Sequence, residues 1–119
     1  MKTEGAKPLV WVGTSKDDLK KFPGEVQQRI GFALFQAQIG IKPWDAKPLS
    51  GFGSGLLEVV SRFDKETYRA VYTVKFTGVL YVLHAFQKKS RKGIATPKSE
   101  LDLVKQRLKV AEQHYQNTY

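Results

Sequence analysis

Three strand-forming runs follow one another with almost nothing between them. Leu56–Phe63, Tyr68–Phe76 and Val79–Gln87 are rich in Val, Leu, Tyr and Phe, and only Asp64–Thr67 and Thr77–Gly78 separate them. Parallel strands need a crossover of about a dozen residues or more, so connections this short impose consecutive antiparallel hairpins. Closing both hairpins tightly predicts Phe63 opposite Tyr68 and Phe76 opposite Val79, hence Arg62 opposite Arg69 and Arg69 opposite Phe86. Alternation then assigns Leu57, Val59, Phe63, Tyr68, Ala70, Tyr72, Val74, Phe76, Val79, Tyr81, Leu83 and Ala85 to one face, which is apolar and predicted to be core. The other face carries Glu58, Val60, Arg62, Arg69, Val71, Thr73, Lys75, Leu80, Val82, His84 and Phe86. Burying those cations unpaired is costly, so part of this mixed face is expected to meet solvent or a ligand.

The flanks supply helices to cover the sheet. Leu9–Val12 reads as a short strand, and Ser15 before Lys-Asp-Asp-Leu reads as the N-cap of a short helix reaching about Phe22. Pro23 suits the first turn of a second helix that runs to roughly Ile39 and stops at Gly40. In it Val26, Ile30, Ala33, Leu34, Ala37 and Ile41 form one apolar stripe. Lys42–Gly55, with three Gly and two Pro, reads as a loop anchored by Trp44 and Phe52. Thr96 and Pro97 are the expected N-cap and first residue of a last helix whose seam is Leu101, Val104, Leu108, Ala111 and Tyr115. The prediction is an α+β domain over residues 8–119, with N-terminal helices and a C-terminal helix packed on a mainly antiparallel sheet, a short N-terminal strand plus a three-strand meander. Met1–Lys7 is expected to be a mobile tail.

Charge narrows the partners. Lys and Arg number 20 against 11 Asp and Glu, a formal charge of +9 that points to a polyanion. Membrane binding by charge asks for a basic helix with a broad apolar face, whereas here the densest charge follows a strand, so nucleic acid is preferred. The apolar run LVWV beside Glu4 is too short for a signal peptide or membrane span, and a cytoplasmic location is expected. Cysteine is absent, which removes disulfides, thiolate metal sites and cysteine nucleophiles and fits a reducing compartment. His84 and His114 fall on different elements without acids at ligand spacing, so no metal and no other cofactor is expected. Gly51-Phe-Gly-Ser-Gly55 lacks the Lys-Ser/Thr pair and following helix of a phosphate loop and reads as a turn. Neither Ser54 nor Ser61 has partners spaced for a serine hydrolase.

The cations that remain form a candidate site. Lys88, Lys89, Arg91, Lys92 and Lys98 lie in one stretch without an acid. Such a run is by itself only solvated surface. Here it begins where a strand ends, the register sets Arg62 and Arg69 on the face of Lys88, and Phe86 stands between them as a stacking surface for single-stranded RNA. Lys75, His84, Arg91 and Lys92 complete the predicted RNA-binding set. Cleavage of RNA by its own 2′-hydroxyl needs a base, positive charge for the phosphorane and an acid for the leaving 5′-oxygen. Arginine suits the middle task through its bidentate fork, and a lysine handles protons only when neighbouring cations lower its pKa, for which Lys88 beside Lys89 and Arg91 is in suitable company. A lone strand histidine such as His84 is more often packed than catalytic. Glu58, the acid of the mixed face, either pairs with Lys75 or orients a cation.

The segments LLEVV, YRAVY and VLYVLHAFQKKSRKGIATPKSEL, with WVGTSKDDLKKFP and KPLSGFGSGLLE upstream, resemble the RelE/HigB superfamily of type II toxins, and most of all its phage-derived HigB-like branch. The motif KKS-x-x-G-I-x-T-P is the most specific part, and the likeness covers nearly the whole chain after the tail. The resemblance implies a microbial-ribonuclease-like fold with helices on a sheet, ribosome-dependent mRNA cleavage and neutralisation by a small helix-turn-helix, HigA-like antitoxin. By position it assigns the family's strand arginine to Arg69 and its basic residues after the last long strand to Lys88 and Lys89. The family's C-terminal tyrosine corresponds to Tyr115 or Tyr119. The alternative from another class is a non-catalytic RNA- or ribosome-binding module.

Overall fold

The meander forms, but its turns are not where tight closure of the expected loops puts them. In the computed structural model, residues 5–88 and 96–119 are described, comprising β1 (Leu9–Trp11), α1 (Ser15–Lys20), α2 (Gly24–Gln38), β2 (Ala46–Pro48), β3 (Leu56–Phe63), β4 (Glu66–Thr73), β5 (Leu80–Lys88) and α3 (Lys98–Thr118). Five strands make one sheet in the order β1-β5-β4-β3-β2, with β1 parallel to β5 and every other pairing antiparallel. The expected α+β architecture is present. Strand β2 was expected as loop, because three residues including a proline carry no alternation; it exists only as an edge paired to β3.

Both hairpin registers differ from expectation in an informative way. Phe63 pairs with Glu66 across the two-residue turn Asp64–Lys65, whose φ values of 51° and 68° are those of a type I′ turn. Arg62 is therefore opposite Thr67, and Arg69 is opposite Val60. Between β4 and β5 the predicted register holds from Arg69–Phe86 to Val71–His84, but an irregularity at Val71/Tyr72 then brings Tyr72 to Val82. The extra residue, Leu83, reverses the faces of the preceding half of β5. Leu80 and Val82, expected on the mixed face, join Val59, Ala70, Tyr72 and the α2 stripe in one core cluster. Tyr81 and Leu83, expected beside Tyr72, pack with Leu56, Val71, Phe86 and the α3 seam in a second.

The mixed face is thus largely roofed by α3 instead of open to solvent. Leu101, Val104, Leu108, Ala111 and Tyr115 all contribute to the second cluster, as the seam predicted. Of the α2 stripe only Ile41 falls outside the core, since Gly40 (φ +86°) turns the chain away first. Val74, expected in the core, lies beyond the end of β4 and is exposed. Two caps also differ. Thr14, not Ser15, precedes α1, and the Ser15 hydroxyl is buried against the Val82 carbonyl at 3.2 Å. At the last helix Pro97 is the cap, while the Thr96 hydroxyl reaches Glu58 Oε2 at 2.9 Å. Lys7 exchanges two hydrogen bonds with Gln38 at the end of α2. Among the described residues no helix is long and apolar enough to cross a membrane.

Lys65 bears a side chain in the left-handed region, which costs about 1–2 kcal/mol relative to a residue without Cβ. Allowing for the greater chain entropy of glycine, Lys65→Gly is expected to stabilise the protein by about 0.5–1 kcal/mol. A urea melt checks this: an unchanged or lower midpoint at constant slope contradicts it.

Candidate functional site

Cross-strand neighbours on the α3 side of the sheet build the site row by row. Arg62, Thr67 and Lys88 lie side by side in the outermost row, Val60, Arg69 and Phe86 in the next, and Glu58, Val71 and His84 in the third. Lys47 on β2 stands opposite Glu58. Arg69 reaches diagonally across the β3–β4 ladder to place Nη1 at 2.7 Å from Glu58 Oε1. Both partners are buried, with Arg69 5% and Glu58 1% exposed, and Lys88 beside them is 6% exposed. The second carboxylate oxygen of Glu58 accepts the Thr96 hydroxyl, so one acid holds β3, β4 and the entry to α3 together. Of the two roles open to Glu58, orienting a cation is the one found, and the cation is Arg69 rather than Lys75.

Electrostatics at this end of the sheet are dominated by positive charge. Burial pushes the Lys88 ammonium below the usual lysine value; Arg69 lowers it further, Glu58 opposes them and Lys47 adds a small push in the same direction. Arg69 Nε has no hydrogen-bond partner among the described residues. Arg69 also lines an open cavity of about 420 Å³ with Arg29, Trp44, Asp45, Lys47, Val60 and Arg62. A second recess, of about 220 Å³, is lined by Glu58, Thr96 and Lys47 among others. Arg62 and Lys47 are exposed, so charge grades from buried to solvent-facing over a short distance. Such a gradient suits a phosphodiester, which can be gripped outside and polarised inside.

Three predicted site residues sit elsewhere or do something else. Phe86, expected as an exposed stacking surface, is 7% exposed and its ring stacks on His84 with centroids 4.8 Å apart. His84 is buried, with Nε2 hydrogen-bonded to Glu100 Oε1 at 2.9 Å and Nδ1 3.4 Å from Arg107 Nη1, which also donates to the Leu83 carbonyl. It is packed in the manner expected of a lone strand histidine. Lys75 lies past the opposite end of β4, about six residues or roughly 20 Å along the chain direction from Arg69, where its ammonium approaches the Phe76 ring at 5.9 Å. The predicted residues Lys89, Arg91 and Lys92 lie outside the described residues. Among the described residues no group of three His, Asp or Glu side chains is placed to hold a metal ion. Sequence reasoning missed Lys47, whose only signal is its pairing to Glu58 through a strand too short to show alternation.

A family model described as phage derived protein Gp49-like (DUF891) matches residues 17–109, from within α1 to within α3. The chain belongs to this phage-derived Gp49-like family. A search of curated proteins found no match to the chain. Among solved structures, this Gp49-like chain is similar to a double mutant of the E. coli toxin RelE in the free state, with 17% identity, a TM-score of 0.53, and coverage of 67% of this chain and 81% of that one. It also matches a chain of the RelBE2 toxin–antitoxin complex from Mycobacterium tuberculosis, at 19% identity and a TM-score of 0.48 over 73% of this chain and 97% of that one. The fold is RelE-like, as the sequence resemblance implied.

Removing one member of a buried ion pair strands the other, which typically costs about 3–5 kcal/mol, whereas replacing both with apolar residues is often near neutral. Glu58→Ala is therefore expected to destabilise by about 3 kcal/mol or more, and Glu58→Leu with Arg69→Met by much less than the sum of the single substitutions. Chemical denaturation of the single and double variants checks this, and additive losses contradict it.

Proposed function

We propose that this protein is the toxin of a type II toxin–antitoxin system, in the HigB-like branch, acting in the cytoplasm as an endoribonuclease that cleaves mRNA on the ribosome without a metal ion. It inhibits translation, arrests growth and is neutralised by a cognate helix-turn-helix antitoxin of the HigA type. The observation that carries this reading is Arg69 and Lys88 brought into adjacent rows of neighbouring strands, diagonal to each other at one end of a RelE-like sheet, with burial and Arg69 both lowering the pKa of Lys88.

In this mechanism the neutral amine of Lys88 takes the proton of the ribose 2′-hydroxyl, whose oxygen then attacks phosphorus. The negative charge gathering on the phosphorane falls to the Arg69 guanidinium, held by Glu58 for that task. The 5′-oxygen leaves with a proton, for which Lys89 is the assigned donor, giving a 2′,3′-cyclic phosphate and a free 5′-hydroxyl. Arg62 and Lys47, with Arg91 and Lys92, hold flanking phosphates. His84 and Phe86 act by packing under this surface, and Lys75 is too distant for the scissile phosphate.

The ion pair itself favours a second reading. Arg69 is already matched by a carboxylate, which suits a module that binds RNA or the ribosome and cuts nothing. Primer extension on a translated message separates the two, because only the nuclease creates new 5′ ends. The nuclease reading expects such ends with the parent and a loss of at least a hundredfold in the paired Glu58→Leu, Arg69→Met variant, which strands no buried charge and so keeps the fold and antitoxin binding; a paired variant as toxic as the parent overturns it.

The pH dependence assigns the proton. A lysine with a depressed pKa is neutral over more of the range below its ordinary value of about 10.4. Cleavage is expected to rise with pH and level off below that value. Lys88→Arg keeps the charge but does not titrate, so it is expected to abolish the rise. A variant with the parent's profile removes Lys88 from the role of base.

A further inference from the structure

Trp44 was expected to anchor its loop, yet it is 83% exposed, the most exposed of the large apolar side chains among the described residues. Its backbone is not loose. Ala46 N donates to the Pro43 carbonyl at 3.1 Å, closing a turn around Trp44, and Val60 N donates to the Asp45 carbonyl at 3.3 Å, tying that turn to β3. Val60 is the direct cross-strand partner of Arg69. The side chain is also held: the Arg29 guanidinium from α2 lies 5.6 Å from the ring centroid, and Arg29 Nη2 is 4.0 Å from Asp45 Oδ2. A tryptophan that is presented rather than buried, by a turn fastened beside the candidate catalytic arginine, calls for a ligand with a flat apolar face.

The surroundings select which ligand. Trp44 and Arg29 line the same cavity of about 420 Å³ as Arg69, Arg62 and Lys47, so the ring borders a strongly cationic recess. That volume falls in the range of about 300–1,000 Å³ typical of small-ligand pockets. An aromatic face backed by a guanidinium, next to a cluster of cations lining the same recess, is the arrangement on which bases of single-stranded nucleic acid stack. We propose that Trp44, braced by Arg29, is a base-stacking subsite for an RNA nucleotide whose phosphate Arg62 and Lys47 hold, flanking the scissile phosphate at Arg69. It takes the part that Phe86, buried on His84, does not play. This inference rests on the RNA-cleaving or RNA-binding reading above and adds to it a residue that contacts the base.

Because the Trp44 side chain is exposed, Trp44→Ala is expected to fold as the parent does, which circular dichroism verifies. The test compares two ten-residue probes at low salt: a single-stranded RNA and an abasic ribose-phosphate chain of equal length and charge. The parent is expected to prefer the RNA by about tenfold. Trp44→Ala is expected to lose that preference while binding the abasic chain unchanged, and Trp44→Phe to keep most of it. Arg62→Ala with Lys47→Ala is expected to weaken both probes alike. A Trp44→Ala variant that still prefers the RNA, or that loses both probes equally, overturns the stacking subsite while leaving the RNA reading intact. A parent that binds neither probe overturns the stacking subsite, and the RNA reading then falls only if primer extension on a translated message also shows no new 5′ ends. An RNA preference untouched by Trp44→Ala together with lost antitoxin binding assigns Trp44 to a protein interface instead.

Discussion

The ion pair between Glu58 and Arg69 is the constraint around which the charged end of this protein is arranged. An unpaired guanidinium or carboxylate at such depth is costly, and the 2.7 Å contact offsets that cost only while β3 and β4 keep their observed register. Glu58 spends its second oxygen on Thr96, so the segment entering α3 is fastened to the same carboxylate. Fixing Arg69 in this way also fixes the field felt by Lys88, whose depressed pKa arises from burial first and from Arg69 next. Stability and candidate chemistry therefore share one interaction.

The surplus residue in β5 matters as much. By shifting the pairing at Val71/Tyr72 it lets Leu80 and Val82 serve the α2 side and Tyr81, Leu83, His84 and Phe86 the α3 side. The sheet thereby carries two cores, and α3 covers a face that bears ionisable groups. Among the described residues, Arg62 in the outermost row and Lys47 on the edge strand are exposed, beside buried Arg69 and Lys88. The outermost charges are free to meet a polyanion, while the inner ones sit where low polarity magnifies their effect.

A RelE-like fold does not by itself specify an activity, since one scaffold hosts many functions. The reading as an RNA-cleaving toxin draws its force from where the cations stand on that scaffold. The Gp49-like family and the RelE-like fold agree with the sequence resemblance in KKS-x-x-G-I-x-T-P and its neighbours.

From the sequence alone came the number and order of the long strands and helices, the α2 stripe, the α3 seam and the Arg69–Phe86 pairing. These follow from local periodicity and short connections, which are properties of neighbouring residues. Tertiary structure decided the rest. Whether Asp64–Lys65 closes as a two-residue turn, and where β5 accommodates its extra residue, depend on which pairing buries the most apolar surface against α2 and α3. The edge strand that brings Lys47 opposite Glu58 has no signature of its own, because three residues forming an edge acquire meaning only from β3 beside them. Exposure was equally illegible: Phe86 and Trp44 are both aromatic residues beside cations, and only the packing of His84 on one and the outward turn at Pro43 for the other decided which faces water.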